Sequence, residues 1–235
     1  MTLLTIVQNV ADEVGVNSPS SVINTTVATD QQLLRFANAS GLRLLRRYAF
    51  ERITQEFTHT TTAAEDQGAL TTIIGSDFDR LVPTTLYNRS QSRRIKGPYT
   101  PQEWQRDKGT VSSSIQEYYR LRGGNLLISP APAAGETIAG EYVSKNWILD
   151  SDGTTTKAVF TADSDTSLID EDLIVLDVKW RYLKSKSLDY SEEKLEFESE
   201  FANRRGEDKG GRIIDLATEG VDQAVINTPE GGFGQ

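Results

Sequence analysis

The chain has 235 residues, 37% of them hydrophobic and 25% charged, which is enough to bury a core and excludes a disordered polypeptide. With 34 acidic against 25 basic side chains, the net charge of −9 opposes non-specific attachment to a phosphate backbone and is compatible with a surface that DNA slides past without sticking. The absence of cysteine excludes disulfides, thiolate nucleophiles and thiolate metal sites, and fits a cytoplasmic product.

Residues 3–14 place Leu3, Ile6, Val7, Val10 and Val14 at helical spacing, with Gly15 as a stop. A Ser/Asn/Pro/Thr-rich loop runs to about residue 28. Thr29 and Gln32 then stand at the spacing of a capping box, opening a helix with Leu33, Leu34, Ala37, Leu44, Leu45 and Tyr48 on its apolar stripe. Arg35, Arg43, Arg46 and Arg47 lie largely off that stripe.

After residue 50 the texture becomes β-like. Ile53 to Thr62 alternates and is rich in Thr, which predicts a strand. Tyr118 to Arg122, the turn Gly123-Gly124-Asn125, and Leu126-Leu127-Ile128 predict a hairpin. Ile138 to Lys145 reads as a further strand. Between them, Thr100-Pro101-Gln102-Glu103 supplies an N-cap, a proline at the first helical position and a glutamate two residues on, with Trp104 as the anchor of a short helix. Residues 151–167 read as an exposed loop or hairpin tip.

Asp170 caps a helix with Leu173, Leu176, Trp180 and Leu183 on one face and Val175, Val178 and Tyr182 beside it. Its apolar run is cut by Asp177, far short of a membrane span, and no basic-then-apolar leader opens the chain. A last helix runs through Leu195, Phe197 and Phe201 to near Gly206. The expected fold class is α+β: a helical bundle from N- and C-terminal helices (1–50 and 170–206), a β-rich inserted region (51–169) and an extended C-terminal tail (207–235).

The residues that carry chemistry do not converge in sequence. The one histidine, His59, sits in a Thr-rich strand and reads as an exposed strand residue. Asp77 and Asp79, Asp150 and Asp152, and Asp163 and Asp165 lack the continuation of a calcium loop, so turn chemistry accounts for them. Gly123-Gly124 leads into a strand and is a turn, not a phosphate cradle. No catalytic residue, metal site or cofactor is expected. Arg89, Arg93, Arg94 and Lys96 form a basic patch that fits a solvated loop or a docking surface for an acidic neighbour, with contact to DNA in a channel as the competing use, and Arg43, Arg46 and Arg47 read as a solvated helix face or a subunit contact. Tyr118, Tyr119, Tyr142 and Trp147 read as core, with a sugar site as the competing use. The tail sets Ile213, Ile214, Leu216, Val221, Val225, Ile226 and Phe233 among repeated glycines. That pattern suits a segment that orders on a partner.

The order of several stretches resembles the tailed-bacteriophage head-to-tail adaptor (head completion, connector) proteins. They are Ser76-Asp77-Phe78-Asp79-Arg80-Leu81-Val82, Gly97-Pro98-Tyr99-Thr100-Pro101-Gln102-Glu103-Trp104, and Tyr119 to Leu126 leading into Pro130-Ala131-Pro132 with Gly135. Glu141-Tyr142-Val143-Ser144-Lys145 and Glu171-Asp172-Leu173 through Trp180 to Lys184 complete the set. The match covers most of residues 1–205. The resemblance implies a virion protein at the head–tail interface: a ring, commonly a dodecamer, beneath the portal protein. Such a ring extends the DNA channel, touches neighbouring copies of itself, seats the next tail or nozzle protein and lets genomic DNA pass, without a membrane or a cofactor. In that family C-terminal extensions often grip the portal or a neighbouring subunit. The competing reading is a β-rich virion module that binds carbohydrate or a receptor.

Overall fold

The computed structural model describes residues 1–109 and 116–208. Helix α1 (Leu3–Glu13) buries Leu3, Ile6, Val7, Val10 and Ala11, and Thr2 caps it by accepting from the Thr5 N–H. Helix α2 (Ala28–Arg47) buries Leu33, Ala37, Ser40, Gly41, Leu44 and Leu45 along one stripe. Its start corrects the expected capping box. Val27 is the N-cap, Thr29 lies inside the helix, and Gln32 donates to the Ser185 hydroxyl at 3.1 Å. The start is fixed instead by Thr25, whose hydroxyl donates to buried Asp30 at 3.1 Å and whose carbonyl accepts from Gln31.

A 3-10 turn (Glu51–Ile53) leads into the longest antiparallel pair. Strand β1 (Thr54–Thr60) lies along β8 (Thr137–Ser144) over its whole length, from Thr54 opposite Val143 to Thr60 opposite Thr137. On the other side of β8 come β3 (Phe78–Leu81) and β4 (Tyr87–Asn88), and β4 pairs with β5 (Arg93–Arg94). A second sheet has the order β2-β7-β6, built from β2 (Asp66–Ala69), β6 (Tyr118–Arg122) and β7 (Asn125–Ser129). The expected 118–128 hairpin is its core, with Gly123 and Gly124 both at positive φ in the turn. Two short helices, α3 (Leu70–Ile73) and α4 (Pro101–Gly109), interrupt these strands. The expected α4 capping box forms in full: Thr100 N–H and Oγ1 donate to Glu103, and Glu103 N–H donates back to Thr100 Oγ1. Trp104 is the buried side chain of that helix.

A third, small sheet sets β9 (Ile148–Leu149) between β10 (Thr156–Lys157) and β11 (Thr166–Ser167). It corrects the reading of 151–167 as merely exposed, because Phe160, Asp165 and Ser167 are buried. Asp165 accepts from the N–H groups of Thr161 and Ala162 and from Lys157 Nζ at 2.8–2.9 Å. Asp163 accepts from the N–H groups of Val22 and Ile23 and from the Ser21 hydroxyl. The backbone carbonyls of the same two aspartates receive the first N–H groups of α1, at Leu3 and Leu4.

Helix α5 (Glu171–Ser185) is capped by Asp170 and touches α1, α2 and α6 (Ser191–Asp208). Its buried positions go round the helix, through Leu173, Ile174, Val175, Asp177, Val178, Trp180 and Tyr182, as its several neighbours require. Asp177 is tolerated inside because Trp180 Nε1 and Arg181 Nε both donate to it. Phe197 and Phe201 are buried, but Leu195 is 71% exposed. At 100° per residue, position 195 lies about 200° from 197, on the opposite face.

Two apolar clusters result. One joins the helices to Val143, Trp147, Ile148 and Phe160. The other lies within the β region around Phe57, Leu86, Ile95, Tyr119, Ile128 and Ile138.

Candidate assembly interface

The tail residues Ile213, Ile214, Leu216, Val221, Val225, Ile226 and Phe233 lie outside the described residues. The other predicted contact residues can be located. Arg43, Arg46 and Arg47 are exposed at the C-terminal end of α2, where positive charge complements the helix dipole. Arg47 forks onto the Glu198 carboxylate of α6 and stacks 4.0 Å from the Phe201 ring centroid. It is therefore committed to holding α6 against α2. Partial burial and then Arg181 hold the pKa of Arg43 below its ordinary value, against the opposing pull of Asp177.

The second basic group lies on and just after the β4–β5 hairpin. Arg89 pairs with Glu56 of β1, and Arg94 Nε donates to the Thr84 carbonyl at 3.2 Å. Lys96 shares a parallel bridge with Tyr118, and Arg93 sits opposite Asn88. The hairpin is anchored from beneath by a buried polar group that the sequence did not suggest. Asn88 Nδ2 donates to both oxygens of Glu117 at 3.2 Å and to Glu136 at 2.8 Å, and Gln91 Nε2 donates to Glu136 at 2.6 Å. All of Asn88, Glu117 and Glu136 are buried. This ties β4 to the start of β8 and to the approach of β6.

A surface groove between α1, α5 and α6 has Val175 and Leu176 among its lining and Glu13, Asp172, Glu196 and Glu200 around them. Glu13 pairs with Lys179 at 3.0 Å, and Glu200 pairs with Arg204 at 2.8 Å. Leu188, between α5 and α6, and Leu195, on α6, are 54% and 71% exposed. This helical face combines apolar surface with carboxylates, a composition suited to contact with another protein.

The acidic and aromatic groups singled out in the sequence have local partners of their own. Asp77 accepts from the Tyr142 hydroxyl at 3.0 Å, while Asp79 pairs with Arg80 at 2.7 Å. Arg80 Nη2 also donates to the Leu45 carbonyl at the end of α2. Burial, together with Asp77, pushes the Tyr142 phenol up to about 12. His59 is half-buried, not exposed as expected, and that burial holds its pKa below the ordinary value. Asp150 instead pairs with Lys157 at 2.9 Å, and Asp152 accepts from Thr154 and Thr155. Among the described residues, no three of His, Asp and Glu gather as a metal site. Tyr119, Tyr142 and Trp147 are buried. Tyr118 is half-buried and stacks on Tyr99 at 4.4 Å. No helix of the described residues is long and apolar enough to cross a membrane.

Comparison with curated proteins gives no match. The family model described as SU10 adaptor protein matches residues 1–220, and the chain belongs to that family of phage adaptors.

Proposed function

We propose that the chain is the structural adaptor subunit of a phage head-to-tail connector. Copies of it form a ring, dodecameric as the sequence resemblance implies, beneath the portal. The ring extends the DNA channel and seats the next tail or nozzle protein. The subunit acts by position and contact in the virion, and not as an enzyme. The observation that carries this reading is membership of an adaptor family over residues 1–220.

In this reading the helical part, 1–50 and 170–206, packs subunit to subunit. The carboxylate-rimmed groove by Val175 and Leu176 and the exposed Leu188 and Leu195 support that assignment. The β-rich part, 51–169, carries its basic hairpin toward the channel or the next ring. The C-terminal segment supplies Ile213, Ile214, Leu216, Val221, Val225, Ile226 and Phe233 for the portal or a neighbouring subunit. The net charge of −9 disfavours retention of passing DNA.

The test is to add the purified chain to DNA-filled, portal-bearing heads that lack it and to image the portal vertex by electron microscopy. A ring at that vertex is the expected result; a chain that stays in solution or decorates another surface overturns the reading. A chain ending at Asp208 tests the segment separately. It is expected to lose attachment, and normal attachment would remove the segment from the portal contact.

A further inference from the structure

Two helices of the helical part carry opposite charge. Helix α2 holds four arginines against one aspartate, whereas residues 191–200 of α6 hold five glutamates against one lysine. Helix α5 separates the two surfaces. Its Asp172 and Leu176 line the groove shared with α1 and α6. Its Arg181 and Ser185 meet α2 instead: Arg181 is close enough to Arg43 for their charges to repel, and the Ser185 hydroxyl accepts from Gln32. Asp172 to Arg181, and Leu176 to Ser185, is a step of nine residues, which is about 180° around a helix. The groove and α2 therefore lie on opposite sides of α5.

On α2, Arg35 and Arg46 point away from α5. Each stands two residues beyond a buried leucine, Leu33 or Leu44, a turn of about 200°. Both arginines are exposed, and neither forms an ion pair among the described residues. Half-buried Leu42, two residues before Leu44, shares their face. In the groove, Lys179 and Arg204 engage Glu13, Glu200 and, at 3.9 Å, Asp172. Glu196 is the carboxylate left over: it is exposed and forms no ion pair among the described residues. Val175 and Leu176 add apolar surface beside it.

Opposite charge on opposite faces selects one mode of contact between copies. Two grooves brought together repel, and so do two arginine faces, which disfavours a two-fold pairing through either. A groove set against an arginine face attracts. A contact between unlike patches repeats from copy to copy, which is how rings close.

We propose that the groove between α1, α5 and α6 of one copy receives the Arg35, Leu42 and Arg46 face of α2 from the next copy. This rests on the connector reading and names the two surfaces that make its ring contact. Glu196 receives the arginines, and Leu42 covers Val175 and Leu176. Exposed ion pairs of this kind add little affinity each and act on orientation.

Charge reversal, read as rings on DNA-filled, portal-bearing heads that lack the chain, tests this. One variant carries Arg35→Glu and Arg46→Glu; the other carries Glu196→Arg and Ser199→Arg. Each alone is expected to lower ring occupancy at the portal vertex at least about tenfold against the wild type. An equimolar mixture should restore it, because in alternation each acidic face meets a basic groove and each basic face an acidic one. Thermal melts like that of the wild type show that both variants fold. Occupancy undiminished by either reversal overturns the proposal, as does a mixture that fails to restore it. The wild type gives a second measurement that needs no variant. Its occupancy should fall as salt rises from about 0.1 M to about 1 M, where the Debye length shrinks from about 10 Å to about 3 Å. Occupancy indifferent to salt overturns the contact as well. A wild type that forms no ring overturns the connector reading, whereas wild-type rings indifferent to the reversals overturn this contact alone.

Discussion

The indole of Trp147 occupies the space that a side chain at position 41 would fill. A Cβ on Gly41 would stand 2.2 Å from the ring carbons Cη2 and Cζ2. The strand-side tryptophan is thereby keyed into the middle of α2, and its Nε1 donates to the Ala158 carbonyl at 2.9 Å. Gly41→Ala should raise helix propensity and still destabilise, because a fully buried ring with a fixed hydrogen bond cannot retreat. Overpacking of this kind costs about 1–3 kcal/mol. A urea melt should show the midpoint fall without a change in slope.

Asp165 gives a pH signature. Burial alone pushes its carboxyl up, but Lys157 and the N–H donors of Thr161 and Ala162 outweigh it and hold the pKa below the ordinary carboxylate value. A depressed folded-state pKa contributes stability that is full above the unfolded value, near 4, and is lost as pH falls through the folded one. Asp165→Asn should therefore destabilise the protein at neutral pH by about 1–3 kcal/mol and flatten the decline in stability on acidification below about pH 4. Melts of both proteins across the acid range check both effects.

Helix α6 is held by ring packing more than by charge. The Arg47–Glu198 side chains are each 42% exposed, which limits the ion pair to about 0–1 kcal/mol. Phe201 is buried against Tyr48, Phe50 and Phe197, and truncating such a ring costs about 3–5 kcal/mol. Phe201→Ala should thus lower stability several-fold more than Glu198→Ala in parallel denaturant titrations.

The buried amide of Asn88 has two carboxylates as acceptors. Asn88→Ala leaves Glu117 without its only side-chain donor among the described residues, and each unsatisfied buried group costs about 1–3 kcal/mol. The loss should be local first. Exchange at Tyr87, Arg93 and Arg94 should quicken while the α5 amides keep their protection.

Thr100→Ala should remove about 1 kcal/mol of capping from α4. Combining it with Glu103→Ala should add less than the sum of the two single losses, because the two side chains bond to each other's backbone. A double-mutant cycle on thermal stability measures the shortfall.

Local chemistry was readable from sequence where the partners are neighbours. The Thr100–Glu103 box, the Asp170 cap and the Gly123-Gly124 hairpin each use groups within a few residues. Features completed across the chain were not. Thr29 had the spacing of a cap, but Asp30 and Thr25 set the actual start. Asp163 and Asp165 resembled ordinary turn residues because their clients, α1 and residues 21–23, lie about 140–160 positions away. Asn88, Glu117 and Glu136 have surface-like side chains, and only the tertiary meeting of β4 with its neighbours makes them interior. Of the candidate interface, the arginine positions were visible in sequence, whereas the groove beside Val175 and Leu176 appears only when α1, α5 and α6 meet.

The position of α5 has a consequence for synthesis. Helix α1 is made before α5, yet its buried stripe is covered by α5, and its first N–H groups are received by the backbone of residues 163 and 165. Helix α1 must therefore wait for its cover until α5 has been made. Contacts so distant in sequence slow folding. A chain that stops before α5 leaves the buried stripe of α1 uncovered.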